Sequence, residues 1–423
     1  MSPHLTCTIS PRIDVVSPEA WRRLFPELPD SLEMIQLVQR CGMDGFTFHS
    51  ILIRDGERPI LLLPLFETRY SLSTFVESSA RRWVDPLTRW WPRLLRPRVL
   101  GVGFVEGEWS QVGVEPDLER AVIEQAWDMA LASLTALADG LDASLVVFVN
   151  FTSHSGRMLP LHKLRRFTEL VGLPYAQLPI RFPDTEAYIA GLSVKMRSDL
   201  RRKLRQAHQV AVRRTRDVRP WINTIYRLYR ETVSHGDVVF GMHRPAYFEQ
   251  VCDAVPGAEY WLYFVDDQLL AFKLVVVTPH CLIDKYFGMD HTAGRIHNLY
   301  FLAWVELIRF CIDQRIPLYH ASQAEEHTKA RLGANLFPSA ILFQHRQPLI
   351  HRILTQLSRT LSYAPQVALP KASLGTDWQP QPSPGLDEAI ASNGHTLVLN
   401  QEVHGQNVLA DVGRDPSGVV RAP

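Results

Sequence analysis

A strand–turn–strand pattern occurs twice in this chain, and this repetition restricts the possible folds more than any other feature. Residues 49–66 (HSILIRDGERPILLLPLF) and residues 260–277 (YWLYFVDDQLLAFKLVVV) each place a short acidic turn between two apolar runs. Such a pattern is typical of a β-hairpin. Two unrelated hairpins would also fit, because hairpins are common. We favour an ancient duplication that produced two similar lobes.

Strands and helices alternate around the hairpin in both halves. In the first half, residues 118–137 have helical apolar spacing and residues 144–150 read as a buried strand. In the second half, a strand at 282–288 precedes an apolar helix at 297–314 and a further strand at 317–320. This succession predicts a mixed α/β architecture with two similar lobes.

The composition is that of a globular chain without a strong charge bias. The chain has 423 residues, which is enough for two domains of ordinary size. Its formal net charge is +1, so binding of an anion or nucleic acid would require a local basic patch. The five cysteines are scattered without CxxC spacing, which favours a reducing, cytoplasmic setting and no metal site.

The two ends of the chain carry no predicted targeting or catalytic segment. Residues 1–14 lack the apolar core of a signal peptide, and no apolar run approaches the ~18 residues of a membrane span. We therefore expect a cytoplasmic protein, with peripheral membrane contact left open. Prolines recur after residue 363, which predicts a disordered tail over residues 364–423.

Residues 319–333 (YHASQAEEHTKARLG) place five ionisable side chains within seven positions, directly after a predicted buried strand. These are Glu325, Glu326, His327, Lys329 and Arg331. Such a group can supply a general base, a proton shuttle and cations for a charged ligand. The alternative is a solvated helix start, with the glutamates at the positive end of the dipole and Lys329 paired to Glu325.

Residues 291–298 (HTAGRIHN) precede the apolar helix and contain a glycine and a cation. The first N–H groups of a helix and its dipole favour an anion at this position. We therefore interpret Arg295, His297 and Asn298 as a phosphate cradle. An ordinary loop with a glycine turn and an asparagine cap is the alternative.

Residues 195–219 contain ten lysine and arginine residues against two aspartates. Arg197, Arg201 and Arg205 share one face of a predicted helix at 195–208, opposite an apolar stripe. Such a face is typical of phosphate, tRNA or acidic lipid contact, and equally of a solvated surface.

Two other segments contain residue types that suit contact with a ligand or with another domain. Residues 81–83 and 89–93 interleave tryptophan and arginine, which is typical of base stacking, an acyl-chain cover or a membrane interface. We favour the alternative that these tryptophans fill a domain interface. The loop at 237–244 (DVVFGMHR) is a candidate substrate loop.

The run FPDTEAYIAGLSVKMRSDLRRKLRQA at 182–207 resembles the FemAB-like and BioF/CelD-like acyltransferase families. Residues 319–333 look like the Gly-Ala-Gln-Gly-Glu-His-Lys signature of FemAB-related proteins assigned to peptidoglycan biosynthesis. The residues that match in kind and order are Gln323, Glu326, His327, Lys329 and Arg331. Ser322 and Ala324 replace family glycines, and Thr328 is an extra residue between the histidine and the lysine.

The resemblance covers residues 20–345 and implies two tandem GNAT-like domains with mixed, largely antiparallel sheets. The implied domains are 1–180 and 181–363. It also implies a bacterial, cytoplasmic enzyme that moves an acyl group from acyl-CoA to an amine of a small molecule or cell-envelope precursor. An aminoacyl-tRNA-dependent FemAB-like ligase, or a non-catalytic wall or polysaccharide recognition module, is the alternative.

This resemblance also implies a role for each candidate residue. Glu326 or His327 would take the proton of the amine, and Tyr286 would protonate the leaving group. The donor phosphates would lie against the helix start, and the substrate would meet the basic helix. The residues expected to bind the cofactor are Arg295, His297, Asn298, Lys329 and Arg331, and those expected to bind substrate are Arg197, Arg201 and Gln323.

Overall fold

The computed structural model describes residues 4–13, 16–26, 31–69, 96–105, 112–152, 158–235 and 241–361. The tryptophan-rich segments at 81–83 and 89–93 and the tail at 364–423 lie outside the described residues. Only residues 241–244 of the loop at 237–244 lie within them.

Strands of two sheets make up the centre of the described chain. In chain order they are β1 (Leu5–Ser10), β2 (Phe46–Asp55), β3 (Arg58–Arg69), β4 (Arg98–Val102), β5 (Gly113–Val114), β6 (Leu145–Thr152), β7 (Thr168–Val171), β8 (Tyr175–Pro179), β9 (Ala211–Thr215), β10 (Ala258–Val265), β11 (Gln268–Val277), β12 (Leu282–Met289), β13 (Leu318–His320), β14 (Asn335–Phe337) and β15 (Ser339–His345).

Helices cover the faces of both sheets. They are α1 (Pro18–Leu24), α2 (Leu32–Cys41), α3 (Arg120–Gly140), α4 (Thr185–Ala190), α5 (Val194–Lys203), α6 (Ile222–His235), α7 (Pro245–Ala254), α8 (Ala293–Ile296), α9 (Leu299–Asp313), α10 (Glu326–Arg331) and α11 (Pro348–Leu361). Short 3₁₀ helices lie at Leu204–Gln209 and Arg219–Trp221. Side-chain caps begin several helices: Asp184 accepts from the N–H of Ala187 and Ser193 from that of Met196.

The two sheets share one pairing order. The first runs β1-β2-β3-β4-β6-β15-β7, with β5 paired to β3, and the second runs β9-β10-β11-β12-β13-β8-β14. Each sheet begins with a meander of antiparallel strands. The last strand of the meander pairs in parallel with its neighbour in the sheet: β4 with β6, and β12 with β13. The hairpins predicted at 49–66 and 260–277 are β2–β3 and β10–β11. The predicted mixed α/β fold with two similar lobes is confirmed.

The two lobes exchange one strand in each direction. Strand β8 comes from the first half of the chain but pairs antiparallel with β13 and β14 of the second sheet. Strand β15 comes from the end of the second half but pairs antiparallel with β6 and β7 of the first sheet. The domain boundary between residues 180 and 181 stays a prediction. If the chain is divided there, each sheet contains one strand from the other half.

The second sheet is buried on both faces. One face packs on α4, α5 and α9, through side chains such as Trp261, Tyr263 and Tyr319. The other face packs on α6 and α7, through side chains such as Tyr260 and Phe272. Helix α2 of the first lobe packs into this second cluster, so the two lobes share a hydrophobic core.

Candidate active site

Strands β12 and β13 separate soon after they pair. Their parallel ladder consists of Leu282 with Tyr319 and Ile283 with His320, and β12 then continues alone to Met289. The hydroxyl of Ser322 donates to the carbonyl of Asp284 at 2.5 Å, where the two strands part. A bulge at the neighbouring pairs with β11 adds to the change of direction of β12. The separation leaves a gap between the two strands at the centre of the second sheet.

The loop that follows β13 has an unusual backbone. Ser322, Ala324 and Glu325 have φ angles of 59°, 61° and 52°, in the left-handed region that residues other than glycine rarely adopt. Such strain persists only where surrounding contacts fix it. The ammonium of Lys329 supplies such contacts, since it donates to the carbonyls of Ala321 at 2.5 Å and Gln323 at 2.6 Å.

The structure therefore departs from the predicted role of Lys329. Its side chain is 7% exposed, and its ammonium lies against loop carbonyls instead of facing outward to a donor phosphate. On the same short helix, Glu326 is half-buried, whereas His327 and Arg331 are exposed. Helix α10 thus presents two of its predicted groups to the surface and uses a third to shape the loop.

Gln323 is also bound to the chain itself. Its amide nitrogen donates to the carbonyl of Leu173 at 2.9 Å, in the connection between β7 and β8. Ser339 donates to the same carbonyl at 2.8 Å. Gln323 therefore ties the loop after β13 to the exchanged strands, which differs from the substrate contact predicted for it.

A buried ionic group that the sequence reasoning missed lies beside the gap. Lys273 of β11 and Asp284 of β12 are 3% and 7% exposed, and their side chains form an ion pair. The hydroxyl of Tyr319 donates to the same carboxylate at 2.7 Å. Burial, and secondarily the Asp284 charge, raises the pKa of Tyr319. A lysine and an aspartate inside otherwise apolar strands were the sequence signals that could have revealed this group.

The start of α9 combines several features that suit an anion. Asn298 is left-handed and its side chain does not cap the helix. The first helical bond to its carbonyl comes from Phe301, so the N–H groups of Leu299 and Tyr300 lie ahead of the helical ladder. The ammonium of Lys203 lies 3.4 Å from the centre of the Phe301 ring. The same ammonium pairs with Asp199 at 2.9 Å, so helix N–H groups and a cation with its carboxylate partner lie at this end of α9.

Two buried polar atoms at this helix start have no hydrogen-bond partner among the described residues. They are Nδ1 of His297 and the hydroxyl of Tyr300. Burial, and then the charge of Glu325, raises the pKa of Tyr300, so Tyr300 also lies close to the loop after β13. Of the predicted cradle, Arg295 is exposed and Asn298 and His297 are half-buried. Unsatisfied buried polar atoms are rare in proteins and suit a bound polar ligand.

The loop that precedes this helix is fixed by α6 and by its own aspartate. Oδ1 of Asp290 accepts from the N–H groups of Thr292 and Ala293, at 3.0 and 2.9 Å. Glu231 of α6 accepts from the N–H of His291 at 2.8 Å. The His291 ring stacks on that of His235 at 4.0 Å, and burial lowers its pKa. The predicted cradle is therefore rigidly placed.

Tyr286 lies on the opposite face of the sheet from Lys273 and Asp284. Its hydroxyl is 2.9 Å from Nε2 of His243, and its ring packs edge-on against Tyr229 and Phe248. Tyr286 thus faces α6 and α7, whereas the Lys273–Asp284 pair and Tyr319 face α9. His243 was missed as a partner of Tyr286, although its loop was singled out.

The arginines predicted to bind substrate have partners within the chain. Arg197 donates to the carbonyl of Ala190 at 2.9 Å, at the C-terminal end of α4. Arg201 pairs with Glu186 at 2.9 Å on the exposed surface. Both are therefore engaged with α4, and their part in substrate binding stays a prediction.

Neither a metal cluster nor a membrane-crossing helix occurs in the described part of the chain. No group of histidine, cysteine, aspartate and glutamate side chains there is arranged to hold a metal ion. Among the same residues, no helix combines the length and apolar character that a bilayer crossing requires.

Comparison with known proteins agrees with the predicted class. Residues 194–330, from α5 into α10, match the family described as an acetyltransferase (GNAT) domain. No curated protein matches the chain in sequence.

Several solved structures have a similar fold at low sequence identity. FemX shares 11% identity over 81% of this chain and 99% of its own, with a TM-score of 0.49. L-PGS from Bacillus licheniformis shares 9% identity over 80% of this chain and 99% of its own, with a TM-score of 0.46. A tandem GNAT protein from the clavulanic acid biosynthesis pathway shares 12% identity over 82% of this chain and 99% of its own, with a TM-score of 0.48.

The family match and the repeated sheet topology together confirm the class inferred from the sequence. The match covers the lobe that contains the strand gap, the α9 start and the loop after β13. The chain is therefore an acyltransferase whose residues 194–330 match a GNAT acetyltransferase domain, within a mixed α/β fold of two similarly ordered sheets.

Proposed function

We propose that this protein transfers an acyl group from acyl-CoA to an amine of a small molecule or cell-envelope precursor, in the cytoplasm. The observation that carries the proposal is the start of α9. There the first helix N–H groups adjoin Nδ1 of His297 and the hydroxyl of Tyr300, which have no hydrogen-bond partner within the described part of the chain. A diphosphate group of a donor would satisfy the helix start, which favours anions.

The residues present fit such a donor along its length. Arg295, His297 and Asn298 would meet the phosphates, together with the ammonium of Lys203. Beyond Ile283 the edge of β12 is no longer paired by β13, so it can bond an extended ligand with amide groups. The thioester end of the donor would then reach the part of the gap beside Tyr286 and the loop after β13.

The reaction requires two proton transfers. The amine nitrogen attacks the acyl carbonyl, so that a C–N bond forms and the C–S bond breaks. Glu326 or His327 would accept the proton that the amine loses, and Tyr286 would give its proton to the departing thiolate. Arg331 would supply positive charge at the exposed end of α10, and Lys329 would maintain the shape of the loop that positions Glu326.

Acyl-CoA binding and transfer can be tested separately. We expect acetyl-CoA to bind the purified full-length protein in calorimetry, and Arg295→Ala to weaken that binding about tenfold, because one phosphate contact is lost. Arg166→Ala is a matched control, since Arg166 is an exposed arginine of the first lobe. Thiol release from acetyl-CoA in the presence of a panel of amines then measures transfer. Absence of acetyl-CoA binding would contradict the proposal.

A second candidate donor is aminoacyl-tRNA. The observation that favours it is the basic surface of α5 and the following 3₁₀ helix, where Lys195, Arg202 and Arg205 are exposed. Phosphate neutralisation by such side chains gives salt-dependent binding. Ribonuclease treatment decides between the donors, because it abolishes transfer from aminoacyl-tRNA and leaves transfer from acyl-CoA unchanged.

A further inference from the structure

We infer that His243 is a positioning residue that fixes the hydroxyl of Tyr286 and stabilises it after it has given up its proton. This inference rests on the proposed function, since it concerns the proton transfer to the departing thiolate. It assigns a role to His243, which lies in the described part of the loop at 237–244 and which the catalytic scheme above does not use.

The position of Tyr286 makes it a suitable proton donor. It lies on β12 beyond the last pair with β13, and therefore beside the gap between the strands. Its ring is enclosed by Tyr229 at 5.6 Å, Tyr247 at 6.0 Å and Phe248 at 5.7 Å. This enclosure leaves the ring little freedom, so the direction of its hydroxyl depends on its partner, Nε2 of His243 at 2.9 Å.

His243 is fixed more firmly than a surface histidine would be. It is fully buried, and its ring stacks on Tyr247 with centroids 3.8 Å apart and planes 7° apart. Its backbone N–H donates to the hydroxyl of Tyr229 at 3.1 Å. A fully buried imidazole cannot contact an acceptor molecule, so any effect of His243 on the reaction must act through Tyr286.

The first lobe holds the segment that carries His243. Met43 and His243 form an antiparallel bridge, and the N–H of Asp44 donates to the carbonyl of Met242 at 3.0 Å. Arg244 pairs with Asp44 at 3.1 Å. Since these contacts are mainly between backbone groups, they set the distance from the imidazole to β12. The first lobe therefore supports the site in the second.

The chemistry follows if the proton of the His243 ring resides on Nε2. The Nε2–H then donates to the oxygen of Tyr286, and the hydroxyl proton of Tyr286 is the one that is transferred. When the C–S bond breaks, this proton passes to the thiolate, and the phenolate that remains keeps the hydrogen bond from Nε2–H. The proton removed from the amine stays on Glu326 or His327 until solvent returns one to Tyr286. A donor placed beforehand at a developing negative charge lowers the barrier.

Two substitutions at residue 243 separate this role from simple packing. The amide N–H of glutamine can occupy the position of Nε2, whereas that of asparagine reaches only the position of Nδ1. We expect His243→Asn to lower kcat about 10- to 100-fold with less than about a threefold change in KM. His243→Gln should retain kcat within about threefold, and Tyr286→Phe should lose about 100-fold or more.

The assay measures thiol release from acetyl-CoA with the best amine of the panel, and calorimetry confirms that acetyl-CoA binding is unchanged in each variant. Exposed His280, replaced by asparagine, is the matched control and should behave as the parent protein. Equal activity of His243→Asn and the parent protein, or equal loss in the asparagine and glutamine variants, would overturn the inference.

A second readout does not depend on transfer activity. In the full-length protein labelled with ¹⁵N-histidine, we expect the His243 signals to show a proton on Nε2 and to shift in Tyr286→Phe. A proton on Nδ1 alone would overturn the inference even if acyl transfer is observed. If the His243 signals show the expected tautomer but no acyl transfer is observed, the His243–Tyr286 hydrogen bond is supported and the proposed function is contradicted.

Discussion

Strain at single residues shapes the loop after β13. Ser322 and Ala324 occupy positions where the related signature has glycine, and both adopt left-handed backbone. Both positions are therefore left-handed without a glycine, because other contacts fix the backbone. The three carbonyls that surround the Lys329 ammonium, with the nearest at 2.5 Å, are part of these contacts. Lys329 resembles a ligand-binding cation in the sequence, but in the structure its ammonium binds carbonyl groups of its own loop.

A glycine at position 324 should stabilise this loop. Ala324 is exposed and has a φ of 61°, so Ala324→Gly relieves backbone strain without removing a buried group. We expect the free energy of unfolding to rise by about 1 kcal/mol, as measured by denaturant titration. Ala330→Gly, inside α10, should lower it by about 1 kcal/mol as the matched opposite case. Equal destabilisation by both substitutions would show that residue 324 is not strained.

At the scale of single elements, helix α9 links the hydrophobic core of the second lobe to the candidate site. Its apolar faces bury residues such as Leu302 and Trp304 against the sheet, while its first turn faces the proposed donor. The sequence predicted this helix over 297–314, and the structure has it from Leu299 to Asp313. One acidic residue, Glu306, lies within the half-buried part of the helix, beside Arg309.

Glu306 should make the stability of the protein depend on pH. Burial raises the pKa of Glu306, and the neighbouring Arg309 only partly opposes this effect. A carboxyl whose pKa is higher in the folded state favours folding while it is protonated, and this contribution is lost as the pH rises through the folded pKa. We therefore expect Glu306→Gln to raise the melting temperature relative to the parent protein more at pH 8 than at pH 4.5.

Melting curves of both proteins across this pH range provide the measurement. Glu57→Gln is a suitable control, because Glu57 is exposed in the turn between β2 and β3 and its charge is not among those that act on Glu306. A difference between Glu306→Gln and the parent protein that stays constant with pH would contradict the prediction.

At the scale of the whole molecule, the exchange of β8 and β15 joins the lobes. Each sheet is completed by a strand from the other half of the chain, and α2 of the first lobe contributes to the hydrophobic core of the second. The contact of Met43 with His243 is a third link, adjacent to the proposed site. The two lobes are therefore expected to depend on each other for folding.

Separation of the halves tests this dependence. A fragment of residues 1–180 lacks β15, and a fragment of residues 181–423 lacks β8, so each leaves ladder hydrogen bonds unmade. We expect neither fragment to give a dispersed amide NMR spectrum by itself, and the co-expressed pair to associate and recover acetyl-CoA binding. Independent folding of either fragment would show that its exchanged strand is dispensable.

Much of the fold and part of the candidate site could be predicted. The hairpins, the helix at α9 and the charged loop after β13 follow from periodicity and turn chemistry, which act between near neighbours. The Lys273–Asp284 pair was missed because each residue looked like an isolated exception in an apolar strand. Tyr286 was named without His243, since the two are 43 positions apart and only packing brings them together.

The sequence by itself determined the local elements and the duplicated order, because apolar spacing decides which face of each element is buried. The class of the enzyme came from the resemblance of two segments to a known family. Only the tertiary structure decided which strands pair across the lobes, where the Lys329 ammonium points and what Tyr286 contacts. The physical reason is that ladder hydrogen bonds join backbone groups, which are the same in every residue, so the pairing of distant strands depends on how the whole chain packs.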